Sequence, residues 1–166
     1  MLVETPHVHE AIGIRSLTAG DVAFVRDGFR ALSARTRQLR YGLALVDMDR
    51  ALEWVGQLDT PRHFALGACA ARDRRPVGVA RWALEDGDAE VAVTVVDAWQ
   101  GRGVGTLLLE AIMREARDRE MPELRAWVMA GNRPAIRLAR RAGAGPPAHR
   151  SGPLLEFVIP IVSRRA

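Results

Sequence analysis

The feature of this sequence that most restricts its fold is a strand that runs directly into a glycine-rich turn, which then opens a helix. The segment extends from Val93 to Thr106 and carries glycine at positions 101, 103 and 105. Glycine lets the backbone adopt left-handed conformations at little cost and leaves the amide groups uncovered. The first N–H groups of a helix lack partners inside it and lie at the positive end of its dipole. The segment therefore predicts an anion site suited to a phosphate or pyrophosphate group.

The spacing of these glycines excludes two common kinds of phosphate site. A P-loop requires a lysine after its last glycine, and all 24 basic residues of this chain are arginine. A dinucleotide-binding fingerprint requires a glycine where Thr106 stands, and no series of parallel strand–helix units is predicted before the turn. A plain tight turn before a helix is the alternative without a ligand.

Hydrophobic periodicity and turn residues predict a mixed sheet around this segment. The predicted strands are 12–16, 63–70, 77–84, 90–96, 124–129 and 154–162, and the predicted helices begin at 18 and cover 33–40, 47–57, 104–120 and 132–142. Short turns join the strands between 63 and 96, which makes them antiparallel. The unit from Glu90 to Met129 predicts a right-handed parallel crossover. The expected fold class is α/β (α+β), with a mostly antiparallel central sheet and flanking helices.

The loop Gln100-Gly101-Arg102-Gly103-Val104-Gly105 resembles the Q/R-x-x-G-x-G/A signature of the GNAT acetyltransferase superfamily, and the resemblance extends over roughly residues 12–162. In that family the loop cradles the pyrophosphate of CoA, and the preceding strand pairs with the pantetheine arm. Gly131 to Leu138 is similar to the second motif, whose asparagine usually touches the pantetheine arm. The resemblance implies acetyl-CoA as co-substrate and these cofactor-binding residues: Val93, Val95, Gln100, Gly101, Arg102, Gly103, Val104, Gly105, Thr106, Asn132 and Ala135. Asn132 is equally suited to cap the helix that follows it.

Further segments, among them Val77–Arg81 and Ala89–Val93, resemble the acetyltransferase domain of bacterial protein-lysine acetyltransferases. The implied reaction is attack of an amine on a thioester, and the amine must first lose the proton it carries near pH 7. Glu90 lies on the strand that leads into the loop, matches the glutamate of that subfamily and is the predicted catalytic base. A solvent-facing acid at a strand start is the alternative for Glu90.

The second motif departs from the family at one catalytic position. Many GNAT enzymes carry a tyrosine after the leucine of this motif, and here Ala139 stands there. The only tyrosine is Tyr41, which is distant in sequence. No general acid is therefore predicted. Either the thiolate of CoA leaves without a proton from the protein, or another group donates that proton.

Length and composition restrict the remaining possibilities. The 166 residues fit one domain (1–166), with residues 1–10 expected to form a loose tail. No signal peptide or membrane helix is recognisable, so a cytoplasmic location without a membrane partner is expected. The net charge of +4 comes from dispersed arginines, which does not favour nucleic-acid binding. Cys69, the single cysteine, is expected to be an inert thiol, and no metal site is predicted. Arg35, Arg37 and Arg40 are expected to face solvent.

Two classes of function stay open. An acetyltransferase would act on a protein lysine or on a small amine such as a polyamine, an amino acid or an aminoglycoside. A non-catalytic acyl-CoA-binding sensor or partner module is the second class, and the missing tyrosine favours it. The expected oligomeric state is a monomer or a homodimer.

Overall fold

The computed structural model describes residues 2–3, 11–42, 47–58 and 60–161. The strands of this part are β1 (Leu2–Val3), β2 (Ile12–Ser16), β3 (His63–Ala70), β4 (Pro76–Glu85), β5 (Asp88–Val95), β6 (Glu123–Met129), β7 (His149–Ser151) and β8 (Leu154–Pro160). The α-helices are α1 (Val22–Arg30), α2 (Ala34–Tyr41), α3 (Met48–Leu52), α4 (Val104–Asp118) and α5 (Arg133–Arg141). Short 3-10 helices lie at Ala19–Asp21, Glu53–Gln57 and Asp97–Trp99.

The strands form one sheet in the order β1-β2-β3-β4-β5-β6-β8-β7. Every neighbouring pair runs antiparallel except β5 and β6, which run parallel and are connected through α4. Parallel neighbours need a crossover connection, and α4 supplies it. The predicted mixed sheet with one parallel crossover is confirmed.

Helices cover both faces of the sheet at its centre. Gly67 of β3 lies opposite Val79 of β4, and a Cβ built on Gly67 would come within 2.7 Å of the Phe24 ring in α1. Gly78 of β4 directly precedes Val79, and a Cβ built on it would come within 2.8 Å of Leu108 in α4. Because side chains alternate along a strand, α1 and α4 pack on opposite faces. We refer to these as the α1 face and the α4 face.

The part of the core that positions the glycine-rich turn lies between the α4 face and α4 itself. Leu108 and Ile112 of α4 are fully buried, and Trp82 of β4 is 1% exposed. Leu108 and Ile112 are four residues apart, so they lie on one side of the helix. The apolar spacing of residues 104–112 therefore positions α4 against the sheet, and with it the turn that precedes α4.

Two short strands are absent from the sequence prediction. β7 forms a hairpin with β8 around Gly152, whose φ is 56°. β1 pairs Leu2 with Gly13 and Val3 with Ile12, and both residues belong to the segment 1–10 that was expected to form a tail. Strands of two or three residues have no recognisable period, so their pairing with a neighbouring strand is not visible in the sequence. The rest of the expected tail, and Val162 at the predicted end of the last strand, lie outside the described residues.

The helices of the described part are too short or too polar to cross a bilayer.

Candidate active site

The turn between β5 and α4, residues 100–106, has the backbone shape that its glycines predict; we call it the glycine loop. Gly101 has a φ of 73° and Gly103 a φ of 83°, both in the left-handed region. α4 begins directly after Gly103, and the N–H of Leu107 donates to the carbonyl of Gly103 at 3.0 Å. The N–H groups between these residues have no carbonyl of α4 to reach. They are available to an anion at the positive end of the helix dipole.

The outer side of the glycine loop is open, whereas its inner side is packed. A Cβ built on Gly101 would meet nothing within 4 Å. A Cβ built on Gly105 would lie 3.5 Å from Leu138 of α5 and 3.7 Å from Val95 of β5. Val104 is buried beneath the loop, with 1% of its surface exposed. The loop fits a pyrophosphate, since a helix N-terminus here borders space that no described protein atom fills.

Two further residues predicted to bind the cofactor flank this opening. Arg102 is exposed, and its guanidinium carbon lies 5.4 Å from the centroid of the buried Trp99 ring. Thr106 is half-buried in the first turn of α4. Their contacts with a cofactor stay predictions.

A hydrogen-bonded brace, formed by Gln100 and Asp97, ties the glycine loop to the start of α2. The side-chain amide of Gln100 donates to the Val95 carbonyl at 3.0 Å and to the Thr36 hydroxyl at 3.2 Å. The Asp97 carboxylate accepts from the Ser33 N–H at 2.9 Å, the Ser33 hydroxyl at 2.7 Å and the Thr36 hydroxyl at 2.8 Å. Burial raises the pKa of Asp97, but these hydrogen bonds outweigh it and hold that pKa below its usual value. Gln100 is therefore a positioning residue, and its direct contact with a cofactor stays a prediction.

Sequence reasoning missed the brace. Ser33 and Asp97 are 64 residues apart, and no local pattern joins them. The sequence did contain one local signal for this region, because Ser33 is a typical N-cap residue. Its hydroxyl accepts from the Thr36 N–H at 3.1 Å at the start of α2.

β5 and β6 separate soon after they pair. Their register contains one pair of Cα partners, Glu90 with Arg125. β5 continues to Val95, so within the described residues its remaining length has no strand partner on the β6 side. Val93 and Val95 lie on this free length and are half-buried. The opening, which we call the fork, exposes backbone groups of β5 that can pair with an extended ligand.

Glu90 lies at the point where the fork opens. It pairs with Ala83 of β4, and by strand alternation its side chain lies on the α1 face. The side chain is half-buried and lines a surface depression together with Trp127, Ser151 and Leu154. Glu90 is thus partly shielded from water and still reachable from outside, which a base that meets an amine requires.

A cavity on the α1 face, between α1, α2, β4 and β5, adjoins this position; we call it the arginine cavity. Its lining includes Phe29, Arg40, Tyr41, Trp54, Arg81 and Thr94. The only tyrosine of the chain, which sequence reasoning could not place, therefore lies in the same cavity as two arginines.

The expectation that the arginines of α2 face solvent is wrong for two of the three. Arg35 is exposed. The guanidinium carbon of Arg37 lies 4.9 Å from the Phe29 ring centroid, and Arg40 lines the cavity. Residues three apart share one side of a helix, and this side of α2 packs onto α1 and the sheet. Their long side chains cover apolar surface there.

Asn132 caps α5. Its side-chain oxygen accepts from the N–H of Ala135 at 3.2 Å, so the capping role is present. The contacts of Asn132 and Ala135 with a pantetheine arm stay predictions. Ala139, where many GNAT enzymes have a tyrosine, is 4% exposed and lies in the core.

The remaining candidate side chains do not assemble. Cys69 lies on β3 with its thiol 3.6 Å from the Gly13 carbonyl. Burial, followed by the charge of Arg81, lowers the pKa of His63. The rings of His149 and Trp127 meet edge to face at 5.9 Å. In residues 11–42, 47–58 and 60–161, no three metal-ligating side chains come together.

Comparison with known proteins decides the family. The model of the acetyltransferase (GNAT) family matches residues 30–144, which include the glycine loop, the fork and Glu90. The chain belongs to the GNAT acetyltransferase family. The predicted superfamily is thereby confirmed.

Three relatives illustrate the match. The acetyltransferase Pat of Mycolicibacterium smegmatis is 28% identical over 134 residues, which is 79% of this chain. The GNAT domain of S. lividans PAT superposes with a TM-score of 0.84 at 21% identity, covering 96% of both chains. The structure of yncA from Salmonella typhimurium with its cofactor acetyl-CoA superposes with a TM-score of 0.70 at 22% identity, covering 93% of this chain and 96% of the other.

These relatives support different conclusions about fold and about activity. The two solved structures confirm the GNAT fold. The present chain spans 40% of the length of the M. smegmatis protein, so the activity of that whole protein is not transferred here.

Proposed function

We propose that this GNAT acetyltransferase binds acetyl-CoA across the glycine loop and the fork, and transfers the acetyl group to a primary amine by direct attack. One observation carries the proposal. A half-buried carboxylate, Glu90, lies where the unpaired edge of β5 begins, and that edge leads to the open N-terminus of α4.

The chain's own residues would hold the cofactor in two places. The N–H groups of Val104, Gly105 and Thr106 at the start of α4 suit the pyrophosphate. The backbone of β5 near Val93 and Val95 suits the amides of a pantetheine arm, because this edge lacks a strand partner. The bound acetyl-CoA supplies the thioester that the amine attacks. The relative yncA, solved with acetyl-CoA, supports this choice of cofactor.

Glu90 is the proposed base. A primary amine of the lysine type is almost fully protonated near pH 7, so a neighbouring group must accept a proton before attack. Glu90 lies at the start of the fork, on the face that also carries the arginine cavity. An amine entering from the α1 face would reach the carboxylate before the free edge of β5.

The acceptor is proposed as an amine of one of two kinds. The resemblance to bacterial protein-lysine acetyltransferases favours a protein lysine, and the arginine cavity favours a small molecule. A non-catalytic acyl-CoA-binding module is the alternative of another class, supported by Ala139 in place of the usual tyrosine. The cytoplasmic location and the monomeric or homodimeric state stay predictions.

The test measures thiol release from acetyl-CoA in the presence of amino acids, polyamines, aminoglycosides and lysine-containing peptides. Glu90→Gln should lower kcat by about 100- to 10,000-fold, because the amine loses its general base. The dissociation constant for CoA, measured by calorimetry, should not change. Glu110→Gln, on the exposed side of α4, is the matched control and should behave as the parent chain does.

Three outcomes contradict parts of the proposal. Undiminished turnover in Glu90→Gln removes Glu90 as the base. Tight CoA binding without turnover of any amine favours the non-catalytic module. No heat with CoA or acetyl-CoA at millimolar concentration overturns the cofactor assignment itself.

A further inference from the structure

The arginine cavity joins an apolar wall to two cationic side chains. Phe29 and Leu32 are 4% and 6% exposed and contribute to the wall, together with the rings of Tyr41 and Trp54. A site of this kind holds the hydrocarbon part of a small molecule, while its few polar groups fix the orientation. The polar groups of the cavity therefore indicate which charged or polar group a bound small molecule would carry.

Arg81 is the innermost of these groups. Its guanidinium carbon lies 5.0 Å from the centroid of the Trp54 ring, and its Nε is buried without a hydrogen-bond partner among the described residues. Burial, and after it the charge of Arg40, lowers the pKa of Arg81 to about 10. The guanidinium still carries its charge at neutral pH. A buried charge is costly unless an anion pairs with it.

Arg40 lines the same cavity. Its guanidinium carbon lies 4.9 Å from the Tyr41 ring centroid. No carboxylate of the described residues forms a salt bridge with Arg40 or Arg81, although every salt bridge of that part of the chain contains an arginine. Two like charges that repel each other across one cavity are stabilised together by a single bound anion.

Glu90 lies within reach of this pair. Arg81 pairs with Ala92 across β4 and β5, and Glu90 pairs with Ala83, two residues further along β4. Such diagonal neighbours on one face are about 7–8 Å apart. The charge of Glu90 is one of the influences that raise the pKa of Arg81. The base therefore lies on the same face of the sheet as the unpaired cation, in the depression next to the arginine cavity.

We propose that Arg40 and Arg81 form a carboxylate-binding subsite of the arginine cavity, and that the acceptor is an amine which also carries a carboxylate on a short apolar framework, that is, an amino acid. This inference rests on the proposed acetyl transfer. The guanidinium groups bind the carboxylate, the apolar wall holds the side chain, and Glu90 receives the proton of the ammonium group. An acidic residue next to a lysine in a protein is the competing source of the carboxylate, and the test separates the two.

The experiment compares each of three amino acids, leucine, methionine and phenylalanine, with its amide, which keeps the amine and the side chain but loses the anionic charge. At least one amino acid should show a kcat/KM about 30-fold or more above that of its amide, as expected for the loss of a charge-assisted hydrogen bond. Arg81→Gln and Arg40→Gln should each raise KM for that amino acid about 10-fold or more. The KM of the amide should rise less than that of the amino acid in both variants, and the dissociation constant of CoA should not change.

Arg35→Gln, an exposed substitution in α2, is the matched control and should leave all these values unchanged. Arg40→Gln provides a second variant nearer the surface should Arg81→Gln fail to fold. Calorimetric titration of the CoA-saturated protein with the same amino acids and amides gives a readout independent of turnover.

The possible results separate this inference from the proposed function. Equal use or equal binding of acid and amide overturns the subsite, even if acetylation is observed. Preference for a lysine peptide flanked by aspartate over every free amino acid overturns the amino-acid acceptor. Arginine-dependent binding of the amino acid without any turnover supports the subsite and contradicts the proposed function.

Discussion

The glycine loop and the arginine cavity both lie near the end of β5, yet they are built in different ways. The glycine loop is made from consecutive residues, and its binding groups are backbone amides at the start of α4. The arginine cavity is made from side chains of α1, α2 and β4 that are far apart in sequence. The first depends on a few φ angles and the second on how helices pack. Substitutions should therefore affect the two regions by different mechanisms.

The largest effect is expected from the double variant Gly101→Val, Gly103→Val. Both residues have φ near +80°, where an L-residue costs about 1–2 kcal/mol and a β-branched residue is a clear outlier. The loop should leave its present shape, and CoA should bind about 30-fold or more weakly by calorimetry. Binding of an amino acid in the arginine cavity should persist. Gly56→Val, at an open position without a positive φ, is the control, and unchanged CoA affinity in the double variant would contradict the loop assignment.

The second prediction concerns Gly78, which lies between the two regions. A Cβ there would come within 2.8 Å of Leu108 Cδ1 and 3.0 Å of the Thr94 carbonyl oxygen. Gly78→Ala should lower the free energy of unfolding by about 1–3 kcal/mol, because the core is overpacked. Denaturant unfolding measures the change, and Gly56→Ala, which meets no atom within 4 Å, should be close to neutral. Equal stability of both variants would show that Leu108 and β4 move apart easily.

The third prediction concerns the brace and its dependence on pH. Asp97→Asn should cost about 1 kcal/mol at pH 7, a modest value because the side chain is exposed. The pKa of Asp97 is lowered in the folded state, so its stabilisation is present above the pKa of the unfolded chain, about 4, and is lost as the pH falls through the lower folded value. The parent chain should therefore lose its advantage over Asp97→Asn in acid. Unfolding curves at pH 7 and pH 3 measure this, with the exposed Asp118→Asn as control. A difference that is constant with pH would contradict it.

The smallest effect is expected at Asn132 and separates its two roles. Asn132→Ala should lose about 1 kcal/mol of stability, because the cap on the Ala135 N–H is removed. Asn132→Asp keeps the capping oxygen but loses the amide donor. If the amide also contacts the cofactor, Asn132→Asp should retain the stability of the parent chain and bind CoA about 5-fold more weakly. Thermal unfolding and calorimetry on the same samples measure both quantities, and unchanged CoA affinity leaves Asn132 as a cap alone.

Local patterns predicted most of the elements that hold the glycine loop. The period of α4, the turns between β3, β4 and β5, and the alternation of glycines at 101, 103 and 105 are properties of neighbouring residues. The same holds for the Asn132 cap, which depends on a residue three positions away. These predictions succeed because each depends on interactions between residues that are only a few positions apart in the sequence.

The contacts that position the loop and the acceptor side could not be predicted in this way. The brace joins Asp97 to a residue 64 positions earlier, and Arg40 of α2 lines one cavity with Arg81 of β4. β1 and β7 are too short for a period, and strand pairing alone defines them. Each of these depends on which surfaces pack together.

Backbone conformation and side-chain period are local properties of the chain, so the amino-acid sequence was enough to predict an anion site at the glycine loop, most of the strands and helices around it, and a carboxylate at position 90 as the base. The separation of β5 and β6 after a single pair, and the meeting of two arginines and the one tyrosine in one cavity, are visible only in the folded chain. The physical reason is that burial and charge proximity arise from packing between distant segments, which no short stretch of residues specifies.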